Sequence, residues 1–273
     1  MTNGTGKLRK EFPDQALQWA TANSIPHHLS LGHSPTVLPP TAANRSSHAS
    51  FHSDSLRAIA ANATWANRLK KINARADALP LEMRATPGEL DSSSSSDALL
   101  MNCFCFPGAV PRIMKGLGLW ESIGSTALPE FGVKAKLPKT QNRQDATELD
   151  IKIGSYIFEA KLTGNDFTSR AVDHVREYTD FNAVFDDSAS QVVDSEFTGH
   201  QLMRKVLAAF HLNATLIVLV DQRRPDLLQE WWAVHAAIRD APLRLRCGFR
   251  SWQQVAAASP PPLAAFLSGK YGI

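Results

Sequence analysis

Cysteine is scarce in this chain of 273 residues: there are only three, an odd number. Cys103 and Cys105 lie two positions apart in an apolar stretch, without a second Cys or His pair at the spacing of a zinc site. The pattern therefore favours a reduced, cytoplasmic protein over one built on disulfides or structural zinc.

Long apolar runs are also missing. No run approaches the ~20 residues needed to cross a bilayer, and the start of the chain lacks the apolar stretch of a secretory signal. We therefore expect a protein that neither spans a membrane nor is exported.

Charge is nearly balanced, with 29 Lys and Arg against 26 Asp and Glu, and the net +3 is too small to indicate nucleic acid by itself. Hydrophobic residues make up 44% of the chain, as is typical of a compact globular protein.

The first fifty residues are rich in Ser, Thr, Asn, His and Pro, and residues 26–50 show neither a helical nor a strand period. This composition predicts a loosely ordered N-terminal arm over residues 1–50. Several histidines lie in or beside the arm. Because no carboxylate or Cys accompanies them at ligand spacing, we interpret them as exposed polar residues rather than metal ligands; they are His27, His28, His33, His48 and His52.

Beyond the arm, segments with helical and with strand periodicity alternate. Such interleaving predicts an α/β fold with a mixed central sheet flanked by helices. The predicted helices cover residues 53–79, 97–106, 171–178, 200–212, 227–238, 252–255 and 263–270, and the predicted strands cover 131–137, 148–153, 156–162, 215–220 and 243–247.

The hairpin around Gly154 carries the residues best suited to chemistry. Glu159 and Lys161 share one strand face, because residues two apart point to the same side about 7 Å apart. A turn at Gly154 brings Asp150 beside Glu159. Two converging carboxylates suit Mg²⁺, and a nearby ammonium can orient an attacking water and balance charge on a phosphate. The hairpin therefore predicts a site for metal-assisted phosphate chemistry.

Asp150, eight intervening residues and then Glu159-Ala160-Lys161 resemble the motif of the PD-(D/E)xK nucleases, the restriction-endonuclease-like superfamily. The resemblance implies a single domain over 51–273. Its αβββαβ core lies at about 97–273, and an N-terminal helical extension precedes that core. It implies Mg²⁺ or Mn²⁺ held by Asp150, Glu159 and the Ala160 main-chain carbonyl, with Lys161 assisting the water. DNA is the implied partner, restriction or defence is the implied role, and a homodimer is left open.

Further motifs extend the resemblance over about residues 90–273. Gln201 and Arg204 lie three apart on one helical face, as in subgroups that place Gln or Arg near the scissile phosphate. The same resemblance implies that Glu130 is a further acidic ligand. The leading Pro of the family motif is absent from this chain. A bacterial group of predicted nucleases shares the other short motifs, which here comprise Ser95, Ser96, Asn102, Phe104, Trp252 and residues 266–272.

Simpler interpretations remain open beside this one. Glu159 and Lys161 also fit a surface ion pair on an ordinary hairpin, and Gln201 and Arg204 fit a solvated helix face. The rival hypotheses are a catalytically inactive nuclease fold that binds nucleic acid or protein, and a structural protein whose polar strand face is merely hydrated.

Overall fold

The computed structural model describes residues 4–25, 27–29, 35, 36, 48, 50–69, 90, 92–119, 127–186 and 192–273. The chain divides into two compact units, and the single domain expected over 51–273 stays a prediction. The first, here named the helical unit, comprises Met1–Glu121 and Trp252–Ile273. The second, the sheet unit, comprises Ser122–Ser251.

Helices dominate the described part of the helical unit. In chain order its elements are α1 (Gly4–Ala22), β1 (His28–Leu29), β2 (Pro35–Thr36), α2 (Ser53–Ala61), α3 (Ala63–Arg68), α4 (Ser96–Cys105), α5 (Ala109–Gly116), α11 (Trp252–Ala258) and α12 (Pro261–Tyr271). Among the described residues, none of the helices combines the length and apolar character needed to span a membrane.

Helix α1 differs from the loose arm predicted for residues 1–50. Four of its buried residues recur every four positions and form a stripe along one side; they are Leu8, Phe12, Ala16 and Ala20. Phe12 meets Tyr271 of α12 edge to face, with ring centroids 6.4 Å apart. The polar composition around this stripe concealed the helix, and most of residues 26–49 lie outside the described part.

The helix predicted over residues 53–79 is interrupted at Asn62. This residue ends α2 in an extended conformation, and its side chain accepts hydrogen bonds from the backbone N–H groups of Thr64 and Trp65 at the start of α3. Asn is a favoured N-cap because its short side chain reaches these unpaired donors. The remainder of the predicted helix, from residue 70, lies outside the described residues.

The sheet unit contains the strands. In chain order its elements are β3 (Glu130–Pro138), β4 (Gln144–Ile153), β5 (Tyr156–Ala160), β6 (Ser169–Ala171), α6 (Val172–Arg176), α7 (Phe181–Val184), β7 (Val192–Val193), β8 (Glu196–Thr198), α8 (His200–His211), β9 (Thr215–Val220), α9 (Pro225–Ala236), α10 (Ala241–Leu245) and β10 (Cys247–Ser251).

Five strands form the main sheet, in the order β10-β9-β5-β4-β3. β3, β4 and β5 pair antiparallel, whereas β9 pairs parallel with both β5 and β10. Gly154 turns β4 into β5 with φ +58°, a left-handed conformation that glycine adopts without a steric penalty. Helix α8 contacts four of the strands, β3, β4, β5 and β9. This mixed sheet flanked by helices confirms the predicted α/β, restriction-endonuclease-like fold class.

The last strand begins later than predicted. Residues 243–247 alternate like an edge strand, but Ala241–Leu245 form α10, whose N-terminus is capped by Asp240 through the Leu243 N–H at 2.7 Å. Cys247–Ser251 then pairs in parallel with residues 216–220 of β9. A local cap and a long-range strand pairing therefore outweighed the alternating pattern.

Candidate active site

Asp150 and Glu159 meet where β4 and β5 separate. The register of the hairpin ends at Ile151 opposite Phe158, so Asp150 and Glu159 would form the next pair. Asp150 Oδ2 instead accepts a hydrogen bond from the Ala160 N–H at 2.8 Å. Glu159 is fully buried. The two predicted carboxylates therefore lie together at one point of the sheet.

Lys205 of α8 lies between these carboxylates and was not predicted from the sequence. Its Nζ forms an ion pair with Glu159 Oε2, lies 3.4 Å from Asp150 Oδ1 and donates to the Glu148 carbonyl. Only 4% of its side chain is exposed. Lys205 follows Gln201 by four residues, so the two side chains share one helical face. This spacing is the sequence signal from which Lys205 could have been predicted as a site residue. A cation therefore already joins the two acidic side chains.

The titration of this cluster follows from its burial. Burial, and then the nearby Asp150 carboxylate, raise the pKa of the Glu159 carboxyl to about 7, although the Lys205 ammonium opposes the rise. Burial by itself lowers the pKa of Lys205, but the carboxylates of Asp150 and Glu159 outweigh it and raise that pKa above its usual value. The Lys205 ammonium therefore stays charged at neutral pH.

Gln201 connects Lys161 to Glu159. Its Nε2 donates to Glu159 Oε1, and its Oε1 accepts a hydrogen bond from Lys161 Nζ at 2.8 Å. The Lys161 ammonium also lies 5.1 Å from the centroid of the Phe167 ring, within the range of a cation–π contact. Lys161 is thus linked to the carboxylate cluster through the side-chain amide of Gln201.

Arg224, which was also not predicted, holds the loop that follows Lys161. Its guanidinium is fully buried and donates to the carbonyls of Gly164 at 2.9 Å and Asn165 at 3.0 Å, while Asp226 balances its charge. A Cβ at Gly164 would lie 2.5 Å from Lys161 Cε. The close approach of this loop therefore confines the Lys161 side chain.

Arg204 lies on the same helix but binds a different carboxylate. Its Nη2 donates to Asp145 Oδ1 at 2.9 Å and its Nε donates to Thr147 Oγ1 at 3.0 Å. Tyr178 also donates its hydroxyl proton to Asp145. Arg204 therefore borders the site without contacting Asp150 or Glu159 through these bonds.

Glu130 is oriented by another lysine. Its Oε1 accepts from Lys152 Nζ at 2.7 Å, and 55% of its side chain is exposed. Within the described part of the chain, no group of three or more His, Cys, Asp or Glu side chains is arranged to hold a metal ion. Of the three acidic residues predicted as metal ligands, the fold brings Asp150 and Glu159 together.

A pocket of about 690 Å³, here named the site pocket, opens over this cluster. Asp150, Gln201, Arg204 and Lys205 contribute to its lining, together with Lys134 and Arg170. Four cationic residues outnumber the two carboxylates of this lining, Glu148 and Asp150, so the pocket suits an anionic ligand. A phosphate group could therefore approach the carboxylate pair from this side.

Comparison with known proteins agrees with this geometry. A family model described as "Restriction Endonuclease associating with ARP" matches residues 28–272. Searches of curated proteins and of solved structures found no match. The family match confirms the resemblance to restriction endonucleases and indicates a nuclease-like function. Because the model covers most of its length, the chain belongs to the family of restriction endonucleases associating with ARP.

Proposed function

We propose that the protein is a metal-dependent nuclease that hydrolyses phosphodiester bonds in DNA. The observation that carries the proposal is the convergence of Asp150 and Glu159 on one cation, the Lys205 ammonium, beside the Lys161–Gln201 pair. Two carboxylate oxygens that already share one cation can serve as two ligands in the coordination shell of Mg²⁺ or Mn²⁺. Water and phosphate oxygens would supply the remaining ligands.

The Ala160 carbonyl fits the same ligand set. In a strand, the N–H and C=O of one residue point toward the same neighbouring strand. Since the Ala160 N–H donates to Asp150, its carbonyl is directed to the same side of β5. Asp150, Glu159 and the Ala160 carbonyl would together hold the metal. When bound, Mg²⁺ supplies an activated water and neutralises charge on the phosphate.

Lys161 and Gln201 orient the reaction. Hydrogen bonds through Gln201 link the Lys161 ammonium to Glu159. From this position Lys161 can donate a hydrogen bond to the attacking water and balance the negative charge that develops on the phosphate oxygens. Water adds to phosphorus, the bond to one bridging oxygen breaks, and one water proton passes to the leaving oxygen. Arg204, at the border of the pocket, contributes a phosphate contact.

Lys205 also favours a second candidate function. If its ammonium stays between Asp150 and Glu159, it takes the place of a metal, and the fold would act as a module that binds nucleic acid without cutting it. Displacement of Lys205 by the metal ion distinguishes the nuclease from the module.

The test is nicking of supercoiled plasmid DNA with Mg²⁺ or Mn²⁺, compared with EDTA. Glu159→Gln and Lys161→Met should each abolish nicking. Glu196→Gln and Lys136→Met carry the same charge changes at exposed positions and should cut like the unaltered protein. Nicking that survives in the first two variants would reject the assignment, and DNA binding without nicking would favour the binding module.

A further inference from the structure

A second pocket of about 340 Å³, here named the flanking pocket, opens beside the site pocket. The two pockets share four residues in their linings, which are Ala146, Arg170, His200 and Arg204. Strand β4 runs along both, with Asp145 in the flanking pocket and Asp150 in the site pocket. The five residue steps between them span roughly 17 Å at about 3.4 Å each. An extended ligand bound at the carboxylate pair therefore reaches the flanking pocket.

The lining of the flanking pocket is mainly cationic. Among the described residues that line it, four carry a positive charge, and Asp145 is the carboxylate. Outside the lining, Glu177 pairs with two of the four, at 3.2 Å and 3.0 Å, and so offsets part of the charge. The pocket therefore keeps a moderate positive charge that suits a singly charged anion. The four cations are Lys139, Arg143, Arg170 and Arg204.

Arg170 provides a guanidinium that is ready for a ligand. Arg170 lies on β6 and is exposed, and its guanidinium makes no hydrogen bond or ion pair with any residue in the described part of the chain. Its neighbour Arg204 is already held by Asp145. A guanidinium binds phosphate through two parallel hydrogen bonds, which makes Arg170 the natural first contact.

His200 offers a buried polar atom at the same place. The residue is only 4% exposed and lines both pockets, and its Nε2 has no hydrogen-bond partner among the described residues. Burial, followed by the charge of Arg204, lowers the pKa of His200 to about 3, so its ring is neutral at pH 7. A neutral imidazole can still donate one N–H to an anion. A buried polar atom without a partner is costly, and a ligand oxygen would satisfy it.

From this geometry we infer that the flanking pocket binds a backbone phosphodiester of the nucleic acid, away from the phosphate that is cleaved. The inference rests on the proposed function for the identity of the ligand. Arg170 and His200 contact the phosphate oxygens, and Lys139 and Arg143 supply the surrounding charge. The substrate strand then follows β4 from the carboxylate pair toward Asp145, which fixes the path of several nucleotides across this surface.

The experiment measures binding of a fluorescent oligonucleotide duplex by anisotropy, in Ca²⁺ and in EDTA, at several salt concentrations. Arg170→Gln should reduce the steepness of the plot of log K, the logarithm of the binding constant, against log salt concentration by about 0.9, because one phosphate contact is lost. At 0.1 M salt, the variant should bind the duplex roughly tenfold more weakly. The matched control is Arg239→Gln, which removes an exposed guanidinium of the sheet unit that lies outside both pocket linings and donates to the Asn182 carbonyl at 3.1 Å. Thermal unfolding checks that both variants fold.

The outcomes separate this inference from the proposed function. Equal binding by Arg170→Gln and Arg239→Gln overturns the inference, even if the protein cuts DNA. A loss confined to duplexes with a 5′-phosphate end also overturns it, because the pocket would then hold a terminal phosphate. Weaker binding of duplexes with and without terminal phosphate supports it. That result stands even if no cleavage is found, which would count against the proposed function alone.

Discussion

Replacing Lys205 with Met tests the central feature of the site. Met keeps most of the apolar stem but removes the ammonium that joins Asp150 to Glu159. Removing one partner from a buried ion pair costs about 3–5 kcal/mol, because the remaining charge is left without compensation. We expect the free energy of unfolding in EDTA to fall by that amount.

The metal should reverse this loss. In the unaltered protein, a divalent cation must displace the ammonium, whereas in Lys205→Met the carboxylates are left for it. We therefore expect Mn²⁺ to bind the variant at least tenfold more tightly, a difference of about 1.4 kcal/mol. A concentration one hundredfold above the dissociation constant stabilises a folded protein by about 2.7 kcal/mol. Metal should thus restore much of the stability that the substitution removes.

Urea unfolding with EDTA and with Mn²⁺, together with calorimetric titration of Mn²⁺, measures both effects. Lys134→Met is the matched control, because Lys134 also lines the site pocket but is half exposed in its pair with Glu148. Such exposed pairs contribute about 0–1 kcal/mol. The reasoning is refuted if the two variants are destabilised equally, or if Lys205→Met binds Mn²⁺ no more tightly than the unaltered protein.

Two further predictions concern Lys161 and His200. Gly164→Ala should slow nicking about tenfold, equivalent to ~1.4 kcal/mol, because the new Cβ displaces the flexible end of the Lys161 side chain. Gly248→Ala is the control and should cut at the normal rate, because its new Cβ makes only ordinary van der Waals contacts. Equal nicking rates in the two variants would contradict the role of Lys161. His200 has a lowered pKa, so its neutral ring contributes stability that is lost as pH falls below about 6.5. Urea unfolding at pH 7 and pH 5 should therefore show a smaller acid loss for His200→Gln than for the unaltered protein, and the same loss in both would count against this assignment.

Patterns that depend on neighbours in the chain were predicted well. The hairpin was evident because polar and apolar residues alternate on both sides of Gly154, and β9 was evident as a run of branched apolar residues. The strand predicted at 243–247 was wrong because the Asp240 cap favours α10 locally. Helix α1 was missed because its four-residue stripe lies within a polar composition that resembles an irregular segment.

The sequence by itself determined the strand order along the chain, the spacing of Asp150 from Glu159 and Lys161, and the helix that carries Gln201. These features follow from the periodicity of local structure, which repeats every two or 3.6 residues. Only the tertiary structure decided that Lys205 enters between the carboxylates, that Arg204 binds Asp145 and that Glu130 binds Lys152. Those pairings join residues from separate elements. The first two depend on how α8 packs on the sheet, and the third depends on the register of β3 against β4, which no local pattern records.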